Sequence, residues 1–231
     1  MLKDRQKSLL KKIIETFVKD AKPIASGSLV GKIKEKVSPA TVRSEMANLE
    51  KEGFIFQPHT SAGRIPTEKA YQFYVANYLD KEKGLTDKEK SVLEELEKEQ
   101  IEDRMKIRNF AKAISDLSKQ GVMVAFSECD NYFTGLSNIF AQPEFHNSDQ
   151  VVNLSSVVER MDSEIIDLLK SDSHEPKIMV GNENPMGKDC SLIVSSYKIG
   201  KYKGIIALIG PQRMDYQKNY HLLKEASKLL K

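Results

Sequence analysis

The sequence is poor in the features that mark secreted, membrane-bound and metal-dependent proteins. It holds only two cysteines, Cys129 and Cys190, too few for a disulfide framework, so each is expected as a small buried apolar residue in a reducing, cytoplasmic protein. No apolar stretch approaches the roughly 20 residues a membrane-spanning helix needs, and MLKDRQKSLLKK lacks the apolar core of a signal peptide. The chain is therefore expected to have no membrane partner. Its four histidines, His59, His146, His174 and His221, are scattered, and neither cysteine has a second one at ligand spacing, so no metal site is expected. A phosphate-cradling glycine loop is also missing: GNENPMGK lacks the required order. Cys190 and His221 carry no catalytic signature, and Cys190 opens an apolar strand. No enzyme activity and no cofactor are expected.

What is present is unevenly distributed. The 231 residues carry a net charge of +3. Residues 1–69 hold 14 Lys and Arg against 8 Asp and Glu, while the remainder holds 22 against 25. A basic first third on a mildly acidic body suggests a polyanionic partner for that third, although many solvated faces are as basic.

Periodicity organises this basic third. Leu9, Leu10, Ile13, Ile14, Phe17 and Val18 predict an amphipathic helix over 5–20, stopped by Lys22-Pro23. Ser26 is expected to cap a short second helix with Leu29, Val30 and Ile33 on one side. In VSPATVRSEM, Ser38 is an N-cap and Pro39 suits the first helical position. This third helix runs to Gly53, a natural stop. Val42, Met46 and Leu49 form its buried stripe. The opposite side carries Ala40, Ser44, Ala47 and Lys51, flanked by Thr41, Arg43 and Asn48. That side is small and hydrogen-bonding where most surface helices are long and charged. FIFQP then reads as a strand, HTSAGR as a turn and Ile65-Pro66 as a return strand. Thr67 is expected to cap a helix through Ala70, Tyr71, Tyr74, Val75 and Tyr78. Three helices, a hairpin and a further helix make a winged helix-turn-helix.

Beyond LDKEKGLTDKEK, Thr86 and Glu89 predict a capping box for a helical stretch over 87–120. Val92, Leu93, Leu96, Ile101, Met105, Ile114 and Leu117 keep an apolar side whose phase slips near Glu102-Asp103, so that two helices fit. VMVAF, KIMVG, CSLIVSSYKI and GIIALIG read as strands, QVVNLSSVVERMDSEIIDLL as a helix and QKNYHLLKEASKLLK as a terminal helix. GPQRMDY reads as a strand-to-helix corner held by side-chain hydrogen bonds. The expected fold class is α+β, with a DNA-binding domain over 1–80, a helical linker over 81–120 and a sheet domain over 121–231.

The candidate interface follows from chemistry. The first turn of a recognition helix enters the major groove, where arginine grips guanine bidentately and Ser and Thr bond bases or phosphates. Ser38, Ala40, Thr41, Arg43, Ser44, Asn48 and Lys51 are the helix candidates. His59, Thr60, Ser61 and Arg64 are the wing candidates, with Gly63 permitting a tight bend.

The run SPATVRSEMANLEKEGFIFQPHTSAGRIPTEKAYQFYV resembles the N-terminal region of the heat-inducible transcription repressor family, HrcA. GLSNIFAQPEF, DCSLIVSSY and GIIALIGPQRMDY resemble later parts of the same family. The resemblance implies a winged-helix repressor of heat-shock and chaperone genes, dimeric on an inverted-repeat operator in double-stranded DNA, whose activity depends on a GroEL-type chaperonin. Ser38, Pro39, Ala40, Thr41, Arg43 and Glu45 fall on the family's helix motif, which usually has Asn where this chain has Ser44. The family carries a long stretch between the counterparts of VMVAF and GLSNIF, where only SECDNYFT stands here. This implies a reduced GAF-like domain lacking the inserted dimerisation region. The alternative is a regulator that senses a small ligand through its GAF-like domain.

Overall fold

A computed structural model describes residues 2–32, 38–145, 175–185 and 187–231, the side chain of Phe145 excepted. Ile33, Val37, His146, His174 and the helix expected over 150–169 lie outside the described residues. The chain divides into two compact units, Met1–Leu79 and Asp80–Lys231. No helix among the described residues is long and apolar enough to cross a membrane.

In the first unit, α1 (Asp4–Asp20) buries Leu9, Leu10, Ile13 and Ile14, whereas Phe17 and Val18 are half-buried. A 3-10 turn over Ser26–Leu29 stands where a capped second helix was expected. Ser26 lies inside this turn and makes no cap, and of the expected apolar pair Leu29 is buried while Val30 is exposed. The helix α2 (Pro39–Lys51) begins as its sequence dictates: Ser38 is extended, and its Oγ accepts the Thr41 N–H at 3.1 Å. It ends in a Schellman motif. Gly53 adopts φ +75°, its N–H donates to Glu50 O and that of Phe54 to Leu49 O, both at 2.9 Å.

The strands β1 (Ile55–Phe56) and β2 (Ile65–Pro66) pair antiparallel, and α3 (Glu68–Tyr78) follows. Thr67 precedes α3 but does not cap it with its side chain. Its hydroxyl donates to Gly53 O at 2.8 Å, tying β2 back to the end of α2. Val42, Met46 and Leu49, the four α1 residues, Leu29, Ile55 and Tyr71 are all buried, where α1 packs against α2 and α3 and α2 packs against the 3-10 turn and β1. Each such side chain contributes about 1.5–3 kcal/mol by leaving water.

A polar contact joins the same helices. Glu45 is buried among these apolar groups, and the Arg5 Nε donates to its Oε1 at 3.0 Å, with Arg5 Nη2 on the same oxygen. That bond holds the Glu45 carboxyl below its usual range against the opposing push of burial.

The second unit is an α+β layer structure. After α4 (Asp87–Lys98) and α5 (Asp103–Ser118), β3 (Gly121–Ser127), β4 (Asp130–Thr134), β5 (Lys177–Val180), β6 (Cys190–Ile199) and β7 (Tyr202–Pro211) form an antiparallel sheet of order β4-β3-β7-β6-β5. A short helix, α6 (Leu136–Phe140), and the terminal α7 (Tyr216–Leu229) complete it. The Thr86–Glu89 capping box forms, and the helical stretch breaks into two at 99–102, where its phase slips. Both helices are packed into this unit, α5 against β3 and α7, with Ile107, Phe110 and Ile114 fully buried. Ile101 and Met105, expected on the apolar side, are exposed, the first lying within the break and the second in the first turn after it.

Both sheet faces are buried, which is why β6 and β7 read as continuous apolar runs rather than alternations. One face joins Met123, Leu192, Val194, Ala207 and Ile209 to Ile139 of α6. On the other, Ser191 Oγ and Tyr216 Oη of α7 share a hydrogen bond of 2.8 Å. SECDNYFT, read only as the remnant of a longer segment, supplies the last residue of β3, the turn and the whole of β4. Cys129 is exposed in that turn, contrary to expectation, and Cys190 is buried.

Two expectations follow. The Tyr197 hydroxyl donates to Ala125 O on β3 at 3.2 Å, and a Cβ on Gly204 would stand 2.0 Å from that oxygen and 2.8 Å from the hydroxyl. Gly204→Ala should therefore cost about 2–3 kcal/mol of stability in urea unfolding through forced repacking. Second, a carboxyl with a depressed folded pKa contributes stability above the ordinary carboxylate range and loses it as pH falls. Arg5→Ala should cost about 1–2 kcal/mol at neutral pH, Arg5 being partly exposed. In thermal melts from pH 7 to 3, that deficit should shrink once the pH falls below about 4.5.

Candidate nucleic-acid interface

The face of α2 opposite its buried stripe is bare. Ser38, Ala40, Arg43, Ser44, Ala47, Asn48 and Lys51 are exposed, and Thr41 is half-buried, its hydroxyl 2.9 Å from that of Ser38. Thirteen residues give the helix a length of about 20 Å, and its small side chains allow close approach along that length. Arg43 and Lys51 make no ion pair or side-chain hydrogen bond among the described residues. The two acids within α2 do not oppose them: Glu45 is held by Arg5, and Glu50 accepts from the Arg64 Nε at 2.8 Å. The helix thus presents cations outward while each of its carboxylates has its own arginine.

The wing is braced from within. The Gln57 side-chain amide donates to Thr60 O and Ala62 O, both at 2.8 Å, and the Ala62 N–H donates to His59 O at 2.9 Å. These bonds close the tip and leave His59, Thr60 and Ser61 exposed. At the root, Arg64 and Ile24 exchange both backbone hydrogen bonds, at 2.8 and 2.9 Å. Gly63 is needed for this approach rather than for a left-handed bend. Its φ is not positive, and a Cβ there would lie 2.5 Å from the Ile24 carbonyl carbon.

Arg64 is expected from the sequence to reach outward from the wing. In the structure it is half-buried, and its Nε is engaged by Glu50. Neither Glu50 nor Arg5 stands out in the sequence. Their partners lie 14 and 40 residues away, a separation no local pattern reveals.

The second unit offers less. Cys190 sits in the apolar cluster on one sheet face, where burial pushes its thiol up to about 12. His221 lies on α7, its Nε2 2.8 Å from Asp80 O, so the structure does not bring the two together. The GPQRMDY corner is held by side-chain bonds, as expected. Arg213 bonds Glu144 and Gln142, and Asp215 caps α7 by accepting the Lys218 N–H at 3.0 Å. A cavity of about 400 Å³ is lined by Lys81, Glu82, Glu175, His221, Lys224 and Lys228. Lys81 and Lys224 both lie against Glu175. Such a charged lining differs from the largely apolar walls of small-molecule sites.

A family model described as the HrcA protein C terminal domain matches residues 74–219. The heat-inducible transcription repressor HrcA of Oceanobacillus iheyensis is 30% identical over 328 residues, covering 98% of this chain and 96% of that protein. The protein of the same name from Halalkalibacterium halodurans is 25% identical over 338 residues, covering 100% and 98%. Both alignments exceed this chain's 231 residues, so each relative carries material for which this chain has no counterpart. A crystal structure of a hypothetical protein superposes with a TM-score of 0.79 at 18% identity, covering 100% of this chain and 99% of that one, a likeness of fold. The chain belongs to the HrcA family of heat-inducible transcription repressors.

Proposed function

We propose that the first unit is a winged helix that reads double-stranded DNA and that the protein represses heat-shock genes from an inverted-repeat operator in the cytoplasm. The observation that carries this reading is the exposed face of α2, where small residues surround Arg43 and the helix acids are paired. Its first turn enters the major groove. Ser38, Thr41 and Ser44 bond backbone or base edges, Arg43 grips a base, and Asn48 and Lys51 follow the groove towards a phosphate. His59, Thr60 and Ser61 bring the wing to the adjacent backbone, and Arg64 supplies a cation at its root. The names of the relatives support the repressor role.

A dimer is part of the proposal, because one winged helix reads a short half-site and two linked copies gain specificity through effective concentration. Control by a GroEL-type chaperonin rests on the family resemblance alone. Binding should weaken steeply with salt, since phosphate contacts release condensed counterions. Arg43→Ala should cost about 1–3 kcal/mol of operator binding and relax specificity at one base pair. Titration of the variant on the operator and its single-base substitutions tests this. An equal loss on every duplex would make Arg43 a phosphate contact instead.

A further inference from the structure

We propose that Glu50 is a positioning residue for Arg64, orienting its guanidinium so that its free edge binds a phosphate of the DNA backbone. The inference rests on the reading of the first unit as a DNA-binding module and adds a role for an acid inside that interface. Glu50 is an unexpected residue there. A carboxylate on the helix that approaches a polyanion repels it, and charge alone predicts tighter binding without it.

The geometry points to what offsets that repulsion. The backbone of Arg64 is fixed by its two backbone hydrogen bonds with Ile24, and the lack of a Cβ at Gly63 lets the two segments meet. Its side chain then leaves the wing root and meets Glu50 across the end of α2, Nε to Oε2 at 2.8 Å. Both side chains are partly exposed, Arg64 at 21% and Glu50 at 32%, so the pair sits at the surface. Only the Nε of Arg64 is engaged. Neither terminal amino group, Nη1 nor Nη2, bonds to a described residue. A guanidinium gripped at Nε keeps its Nη1–Nη2 edge, a fork of donors in fixed geometry that suits two phosphate oxygens. Anchoring also removes rotamer freedom before DNA arrives, so less entropy is lost on binding. The same contact ties wing to helix, holding the two DNA-facing elements at one spacing.

Glu50→Ala and Glu50→Gln, alone and in the Arg64→Ala background, separate positioning from charge. Each is titrated at several salt concentrations on an inverted repeat from upstream of a chaperone gene and on a scrambled duplex. Glu50→Ala should bind both duplexes roughly threefold to tenfold more weakly. Its plot of log K against log salt should be shallower by about 0.9, one phosphate contact. Glu50→Gln keeps an oxygen to accept from Nε and should bind at least as tightly as the wild type. With Arg64 already replaced, Glu50→Ala should no longer weaken binding. Tighter binding by Glu50→Ala, a Glu50→Gln variant as weak as Glu50→Ala, or the same weakening without Arg64 would each overturn the assignment, the last because it marks a loosened fold. If the wild type binds neither duplex, the DNA-binding reading falls, and this proposal with it. A wild type that binds while Glu50→Ala tightens leaves that reading standing and removes only the role of Glu50.

Discussion

The geometry of the first unit depends on how α2 is held. A helix that offers one bare face to a partner must be fixed entirely by the other, and Val42, Met46 and Leu49 supply the apolar part of that hold. Apolar contact is non-directional, so it fixes depth better than rotation. Rotation and spacing need directional bonds, and two arginine–glutamate pairs provide them. Arg5 grips Glu45 from α1, and Arg64 grips Glu50 from the wing. Because these are the acids of α2, the same bonds that orient the helix also compensate its negative charge. Orientation and electrostatics are thus solved by the same residues.

Where the determinants were local, the sequence was readable. The bounds of α2 follow from Ser38, Pro39 and Gly53, each acting within a few residues of itself, and the structure shows the cap and the Schellman closure those residues encode. The capping box at Thr86 and the helix break near residue 102 were readable for the same reason. Features set by distant partners were not. Gly63 suggested a tight bend, but its requirement comes from the Ile24 backbone 39 positions earlier. Thr67 had the signature of a cap and instead bonds the carbonyl of Gly53. Ser26 was a cap candidate and instead lies inside a single 3-10 turn.

The second unit repeats this division. Its long apolar strands announced themselves because both sheet faces are covered, whereas β4, with the mixed sequence DNYFT, gave no such sign. What orders β4 is pairing with β3 and the two bonds of 2.7 Å from Arg104 to Asp130, a partner 26 residues away. Family likeness spans the chain, yet the relatives' alignments are longer than the chain itself. In this chain the short SECDNYFT segment folds as the turn and second strand of the β3–β4 hairpin.

On the proposed function, the bare face of α2 and the wing beside it read one DNA sequence together. The most direct test is a titration of the purified chain on a chaperone-gene inverted repeat and on a scrambled duplex, at two salt concentrations, with the mass of the complex measured alongside. Tight, operator-selective binding by two chains per site is the expected result. Equal, salt-sensitive binding to both duplexes would contradict it and leave a basic winged helix without an operator.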